Sequence, residues 1–126
     1  MNAVDTNVLL YVHDPRDPVK QAQAAALVQS LPDAALLWQV ACEYIAASHK
    51  LEPLGFRRHD AWNELRLLQS AWTLILPDWK HLPAAEALLA SHSLSFWDAL
   101  LIAVAAESGV TTLYSEDFTG LPPSAA

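Results

Sequence analysis

Four acidic side chains have types and positions that could do chemistry together. They are Asp5, Glu43, Asp98 and Asp117. Each lies next to a short apolar segment, and the local segments around them contain no Lys or Arg that would offset their charge. Carboxylate oxygens suit Mg²⁺ or Mn²⁺, which bind through a few carboxylates together with substrate phosphate. The set therefore predicts a divalent-cation site and phosphoryl chemistry.

Each acid also has a purely structural explanation. Asp5 could cap a first helix, and Glu43 could interact favourably with the N-terminal half of a later helix. Asp98 could complete a capping box with Ser95, and Asp117 could be a turn residue. The functional interpretation depends on the four together, because Glu43 and Asp98 have apolar neighbours among which an unpaired carboxylate is costly to bury.

Composition excludes several other chemistries. The three glycines form no phosphate-binding loop, dinucleotide-binding turn or nucleophile elbow. The single cysteine, Cys42, allows no intramolecular disulfide, and the five histidines lack zinc-ligand spacing. A net charge of -7 does not suit a protein that binds nucleic acid by bulk neutralisation of phosphates.

The elements that must position these acids alternate along the chain. Strands are predicted at 3–4, 35–38, 73–76 and 110–114. Helices are predicted at 6–13, 19–30, 40–51, 59–70, 83–92 and 99–108. This alternation predicts a three-layer α/β/α sandwich with a short parallel sheet. Ligands of such sheets bind at the carboxyl ends of the strands, which is where the four acids are expected.

The length of the chain predicts one domain over residues 1–126. Residues 119–126 are expected to form an irregular tail, because Pro122 and Pro123 do not fit an interior strand. The apolar run 99–106 is far shorter than the roughly 20 residues that cross a bilayer, and the first residues do not look like a secretory signal. With a single cysteine, we expect a cytoplasmic protein that contacts no membrane.

Four segments resemble the motif blocks of PIN-domain ribonucleases, and most closely those of the VapC-type toxins of bacterial toxin–antitoxin pairs. The segments are residues 5–7, 39–44, 94–103 and 113–118. They span residues 3 to 118 in the right order and spacing. Each block is weak alone, and the set of four is fairly specific. The resemblance implies an endoribonuclease that hydrolyses RNA phosphodiester bonds.

The resemblance also implies roles for individual residues. The acidic quartet Asp5, Glu43, Asp98 and Asp117 would hold Mg²⁺ or Mn²⁺ and be the catalytic set. Two polar residues of the blocks, Asn7 and Ser115, would orient these acids. Glu116 could assist or substitute for Asp117, since both follow the same strand.

The resemblance further implies three partners: an RNA substrate, an antitoxin protein and a second copy of the chain in a homodimer. A cluster of basic residues could contact RNA phosphates or could be solvated surface charge. These residues are Lys50, Arg57, Arg58 and Arg66. The tryptophans could stack on unpaired bases, although we expect most of them to pack in the core or an interface. They are Trp38, Trp62, Trp72, Trp79 and Trp97.

The chain differs from the PIN-family pattern at one place, and two other families compete with it. Members of the PIN family usually continue past the last acidic block into another strand, which this chain is expected to lack. The alternative function is therefore a catalytically weakened PIN-like binding module. Dehalogenase-type phosphatases need D-x-D, where Asn7 takes the third position, and receiver domains need a late Lys, whereas none follows Lys80.

Overall fold

The structure, a computed structural model, describes residues 1–116, and in this part strands and helices alternate as predicted. The strands are β1 (Asn2–Val4), β2 (Ala34–Leu37), β3 (Thr73–Ile75) and β4 (Thr112–Tyr114). The helices are α1 (Thr6–Tyr11), α2 (Pro18–Ser30), α3 (Trp38–Ala47), α4 (Arg58–Ala71), α5 (His81–Ser91) and α6 (Phe96–Glu107), with a 3₁₀ segment, Ser48–Leu54, after α3. Asp17 begins α2 as predicted: it accepts a hydrogen bond from the backbone N–H of Lys20 at 3.1 Å, and Pro18 follows it.

The four strands form one parallel sheet in the order β3-β2-β1-β4 within residues 1–116. The central strand β1 pairs with β2 on one side, where Ala3 faces Ala35, and with β4 on the other, where Ala3 faces Leu113. Because all strands run the same way, their carboxyl ends meet at one edge. The starts of α1 and α3 and the segment after β4 therefore lie along that edge.

Helices cover both faces of this sheet. Successive residues of a strand point to opposite faces, and in β2 the residues Ala35, Leu36 and Leu37 are only 1%, 3% and 1% exposed. Helix α6 is buried along most of its length, including every residue from Leu101 to Ala105. The predicted three-layer arrangement and the predicted burial of the apolar helix are both confirmed.

Three details of the prediction are wrong. Trp38 was expected to end the second strand, and it is instead the first residue of α3, since β2 ends at Leu37. The helix expected over 40–51 is divided, because α3 passes into the 3₁₀ segment that contains Pro53 and ends at Gly55 in a left-handed conformation (φ 98°).

The third error concerns the inward face of α4. The sequence pattern placed Trp62, Leu65 and Gln69 on one side, whereas the helix buries Ala61, Leu65 and Leu68. These buried positions follow the spacing of one helix face, and Trp62 lies 42% exposed beside it.

Two other expectations fall beyond the described residues: the irregular tail 119–126 and the absence of a further strand. Within residues 1–116, no helix is long and apolar enough to cross a membrane.

Candidate active site

Asp5 is the buried centre of the site. The backbone N–H of Asp5 donates to the carbonyl of Tyr114 at 2.9 Å, which extends the pairing of β1 and β4 by one residue. Its side chain begins α1: Oδ1 accepts from the N–H of Thr6 at 2.7 Å, and Oδ2 accepts from Ser115 Oγ at 2.8 Å. Asp5 is only 4% exposed. The capping role is therefore visible at this carboxylate. Ser115 contacts it, and the role of Ser115 in orienting a metal ligand stays a prediction.

The charge of this carboxylate has no cationic partner in the part of the chain that the structure describes. None of the ion pairs there includes Asp5, Glu43 or Asp98. The two donors to Asp5 are neutral groups, which satisfy its oxygens without cancelling its charge. Thr6 Oγ1 beside it is buried and has no hydrogen-bond partner in the described part of the chain. A buried carboxylate in such surroundings is costly unless a cation joins it.

Glu43 lies one turn inside α3 and borders a cleft. The cleft, of about 450 Å³, is lined by Trp38, Gln39, Cys42, Glu43 and Trp97. Glu43 is exposed, so the expectation that it sits buried among apolar neighbours is wrong. The reason is that its apolar sequence neighbours Val40 and Tyr44 point into the core while Glu43 faces the cleft.

A side chain that the sequence analysis did not single out holds Glu43. Gln39 Nε2 donates to Glu43 Oε1 at 2.8 Å and to the backbone carbonyl of Trp97 at 3.0 Å. Two signals in the sequence point to it: Gln39 begins the segment 39–44, and its spacing of four positions from Glu43 places both on one helix face. Gln39 thereby links α3 to the start of α6.

Asp98 lies in the first turn of α6 and is half-buried. Its backbone N–H donates to Ser95 Oγ at 3.2 Å, which is one half of the predicted capping box. The reciprocal bond, from the N–H of Ser95 to the Asp98 carboxylate, does not appear among the hydrogen bonds of the described residues. Helix capping therefore does not use this carboxylate.

Glu116 contacts α1 and α2. Its Oε2 accepts from the hydroxyl of Tyr11 at 2.7 Å, and Oε1 lies 3.3 Å from Lys20 Nζ. The hydrogen bond from Tyr11 is the main reason why the pKa of Glu116 is lowered, and the same bond raises the pKa of Tyr11. The role of Glu116 beside Asp117 stays a prediction, since Asp117 lies beyond the described residues. Asn7 occupies the first turn of α1, two residues after Asp5.

The residues present fit a hard divalent cation in donor chemistry. The donors at this edge are oxygens, and Thr6 Oγ1 and Gln39 Oε1 are buried without a hydrogen-bond partner among residues 1–116. Within residues 1–116, however, no group of three His, Cys, Asp or Glu side chains is arranged to hold a metal ion. Asp5, Glu43 and Asp98 are all within these residues, so the structure does not bring these three predicted ligands into one metal-holding group. The role of the quartet as a ligand set stays a prediction, and Asp117 lies beyond the described residues.

The basic residues predicted to contact RNA lie in the segments after α3 and on α4. All four are exposed: Lys50, Arg57, Arg58 and Arg66. Arg58 is 3.9 Å from Glu52, and Arg66 donates to Asn63 at 2.9 Å. Contact with RNA stays a prediction.

The five tryptophans fall into different environments. Trp72 is half-buried and packs against the core. Trp38 and Trp97 are 53% and 63% exposed at the cleft beside Glu43, whereas Trp62 and Trp79 are exposed elsewhere. Most of the tryptophans are therefore not in the core of residues 1–116, because four of the five lie largely at the surface. Packing of these four in an interface stays a prediction.

Together, the fold and the site define a class: parallel α/β proteins with a buried acidic side chain at the carboxyl edge of the sheet. A family model, PIN domain, matches residues 3–119. The chain therefore belongs to the PIN-domain family.

A solved structure with the same fold is the crystal structure of Mycobacterium tuberculosis VapC20, a sarcin-ricin loop cleaving toxin. The two share a TM-score of 0.72 and 20% sequence identity, and the alignment covers 94% of this chain and 92% of that one. At this identity the likeness establishes the fold. The search of curated proteins found no match.

Proposed function

We propose that this PIN-domain protein is an endoribonuclease, dependent on Mg²⁺ or Mn²⁺, that hydrolyses RNA phosphodiester bonds as the toxin of a toxin–antitoxin pair. The observation that carries the proposal is the carboxylate of Asp5. It is almost completely buried at the carboxyl edge of the sheet and has no cationic partner within residues 1–116. The fold shared with VapC20, a sarcin-ricin loop cleaving toxin, supports the proposal.

In this proposal the ligands are Asp5, Glu43, Asp98 and Asp117. A bound divalent cation would lower the pKa of the attacking water and offset charge on the phosphate. Ser115 holds Oδ2 of Asp5 in place at 2.8 Å, and the N–H of Thr6 holds Oδ1. Asp98 keeps its carboxylate available because the capping bond uses only its backbone. Attack by water, and not by the ribose 2′-hydroxyl, leaves 5′-phosphate and 3′-hydroxyl ends.

The proposal includes the partners that such a toxin requires. The exposed basic side chains after α3 and on α4 would contact RNA phosphates away from the acids, which reduces the repulsion that a chain of net charge -7 presents to RNA. An antitoxin protein would bind the chain, and two copies of the chain would form a dimer. The single cysteine, Cys42, is exposed and unpaired, which suits the reducing cytoplasm.

The test is cleavage of a single-stranded RNA with Mg²⁺, with Mn²⁺ and with EDTA, followed by analysis of the product ends. We expect metal-dependent products with 5′-phosphate and 3′-hydroxyl ends, lost in Asp5→Ala and Asp98→Ala. Asp14→Ala serves as a control, because this carboxylate is paired with Arg16 at 2.8 Å and lies outside the site. Cyclic-phosphate ends, or unchanged cleavage in Asp5→Ala, would contradict the proposal.

The second candidate is a PIN-like binding module with weakened catalysis. It is favoured by the observation that residues 1–116 contain no group of three side chains arranged to hold an ion. Tight binding of Mn²⁺ and RNA without any cleavage would select this candidate over the nuclease.

A further inference from the structure

The amide of Gln39 joins two helices across the cleft. One nitrogen, Nε2, donates to Glu43 Oε1 at 2.8 Å and to the carbonyl oxygen of Trp97 at 3.0 Å. An amide NH₂ has two hydrogens, so both are used and the plane of the amide is fixed. Trp97 directly precedes Asp98, so the hydrogen bond from Gln39 to Trp97 reaches the first turn of α6, which carries Asp98.

An ordinary surface pair would not explain this arrangement. Side chains four positions apart on a helix often form a hydrogen bond, and such a pair would concern α3 alone. Here Nε2 of Gln39 also donates a hydrogen bond to the backbone carbonyl of Trp97 in α6. The other atom of the amide, Oε1, is buried and has no hydrogen-bond partner in the described part of the chain. A buried acceptor without a donor reduces stability, so the orientation of Gln39 is better explained by the two groups that it holds than by a gain in stability.

We propose that Gln39 is a positioning residue of the metal site: it fixes the carboxylate of Glu43 and its separation from the start of α6, where Asp98 lies. This inference rests on the proposed function, because it assumes that both carboxylates bind the cation. Residues that orient metal ligands in this way commonly change metal affinity or activity by about 10- to 100-fold when they are replaced.

The test is a direct titration of the metal-free full chain with Mn²⁺, in which free Mn²⁺ is followed by electron paramagnetic resonance. In Gln39→Met, which keeps the length of the side chain but removes both hydrogen bonds, we expect Mn²⁺ affinity to fall by about 10-fold or more. Because the substitution also removes the unpartnered Oε1, the melting temperature is expected to stay within about 4 °C of the parent. Cleavage at low Mn²⁺ is expected to fall and to recover at high Mn²⁺.

A matched control is Gln21→Met. Gln21 lies on α2, away from the cleft, and its Nε2 donates to the backbone carbonyl of Val12 at 3.2 Å. Loss of this hydrogen bond should leave Mn²⁺ affinity unchanged. Gln39→Asn keeps the amide but is one methylene too short to hold both acceptors, and we expect it to show the same loss as Gln39→Met. If Gln39→Met disturbs the fold, the Mn²⁺ affinity of Gln39→Asn tests whether Gln39 positions Glu43.

The outcomes distinguish a failure of the positioning role of Gln39 from a failure of the proposed function. If Asp5→Asn abolishes Mn²⁺ binding while Gln39→Met and Gln39→Asn bind Mn²⁺ as the parent does, the inference on Gln39 is overturned and the proposed function stands. If Asp5→Asn binds Mn²⁺ as the parent does, the metal site of the proposed function is itself wrong. A shared loss of affinity in Asp5→Asn and both Gln39 variants, with Gln21→Met unaffected, supports both.

Discussion

Asp5→Asn is expected to separate the effect of a buried charge from the effect of a bound cation. The Asn side chain has the same shape: its Oδ1 can accept from the N–H of Thr6, and its Nδ2 can donate to Ser115 Oγ, which accepts as well as donates. The variant loses the extra strength of hydrogen bonds to a charged group, about 1 kcal/mol for each bond. It also loses the penalty of a carboxylate buried without a cation, which is several kcal/mol.

The relief of this penalty is the larger of the two contributions, so without metal we expect Asp5→Asn to be at least as stable as the parent. With a divalent cation at 100 times its dissociation constant, the parent gains about 2.7 kcal/mol. For a chain of this size, that gain corresponds to roughly 10 °C in melting temperature. Asp5→Asn, which lacks the charge that binds the cation, is expected to gain nothing.

The assay is a thermal melt of both proteins in EDTA and in excess Mg²⁺ or Mn²⁺. The control is Asp17→Asn, because Asp17 also begins a helix and accepts a backbone hydrogen bond at 3.1 Å, but it is exposed and outside the site. Asn caps helices about as well as Asp, so this control should keep the metal-induced shift of the parent. An equal shift in Asp5→Asn and the parent, or no shift in the parent, would refute the reasoning.

Three further predictions concern other parts of the molecule. His13 stacks on Phe56 with ring centroids 3.9 Å apart, and burial lowers its pKa below 6.5, so the folded chain binds fewer protons than the unfolded chain below that pH. The free energy of unfolding should therefore fall as the pH drops below 6.5, and His13 contributes at most about 1.4 kcal/mol per pH unit to this fall. In urea denaturation, the free energy of unfolding of His13→Gln should fall less steeply with decreasing pH than that of the parent. The pKa of Tyr11 lies above 10 because of its bond to Glu116, and a titration of phenolate absorbance should show it moving back towards 10 in Glu116→Gln. If an unpaired base stacks at the cleft, Trp97→Leu should raise the KM for single-stranded RNA about 10-fold while kcat changes little, and an unchanged KM would contradict this.

Much of the fold could be predicted from local patterns, because apolar periodicity and helix boundary residues are local signals. Asp17 and Pro18 marked the start of α2, and the alternation of apolar strands with helices indicated a parallel sheet. The order β3-β2-β1-β4 could not be predicted, since it depends on which distant strands pair. The inward face of α4 was misassigned because Trp62 is large and apolar, yet tertiary packing favoured the smaller Ala61 at the buried position.

In the candidate site, too, local features could be predicted from the sequence and long-range contacts could not. Asp5 was identified from its position after an apolar strand, and it lies at the edge of the sheet where the topology required it. The resemblance implied only that Ser115 orients the acids, without saying which one, and the structure shows a hydrogen bond from Ser115 to Asp5. Gln39 was not identified, because half of its role is a bond to the backbone of Trp97, and no side-chain pattern reports a contact with a distant carbonyl group.

The contact between Asp5 and Ser115 joins residues 110 positions apart, through the pairing of the first strand with the fourth. Contacts of such long sequence separation form slowly, because bringing the two ends together costs loop-closure entropy. Because the second hydrogen bond to Asp5 comes from Ser115, it cannot form before Ser115 has been synthesised. For a protein proposed to cut RNA, this order of events means that a nascent chain on the ribosome has no assembled site until β4 has been translated.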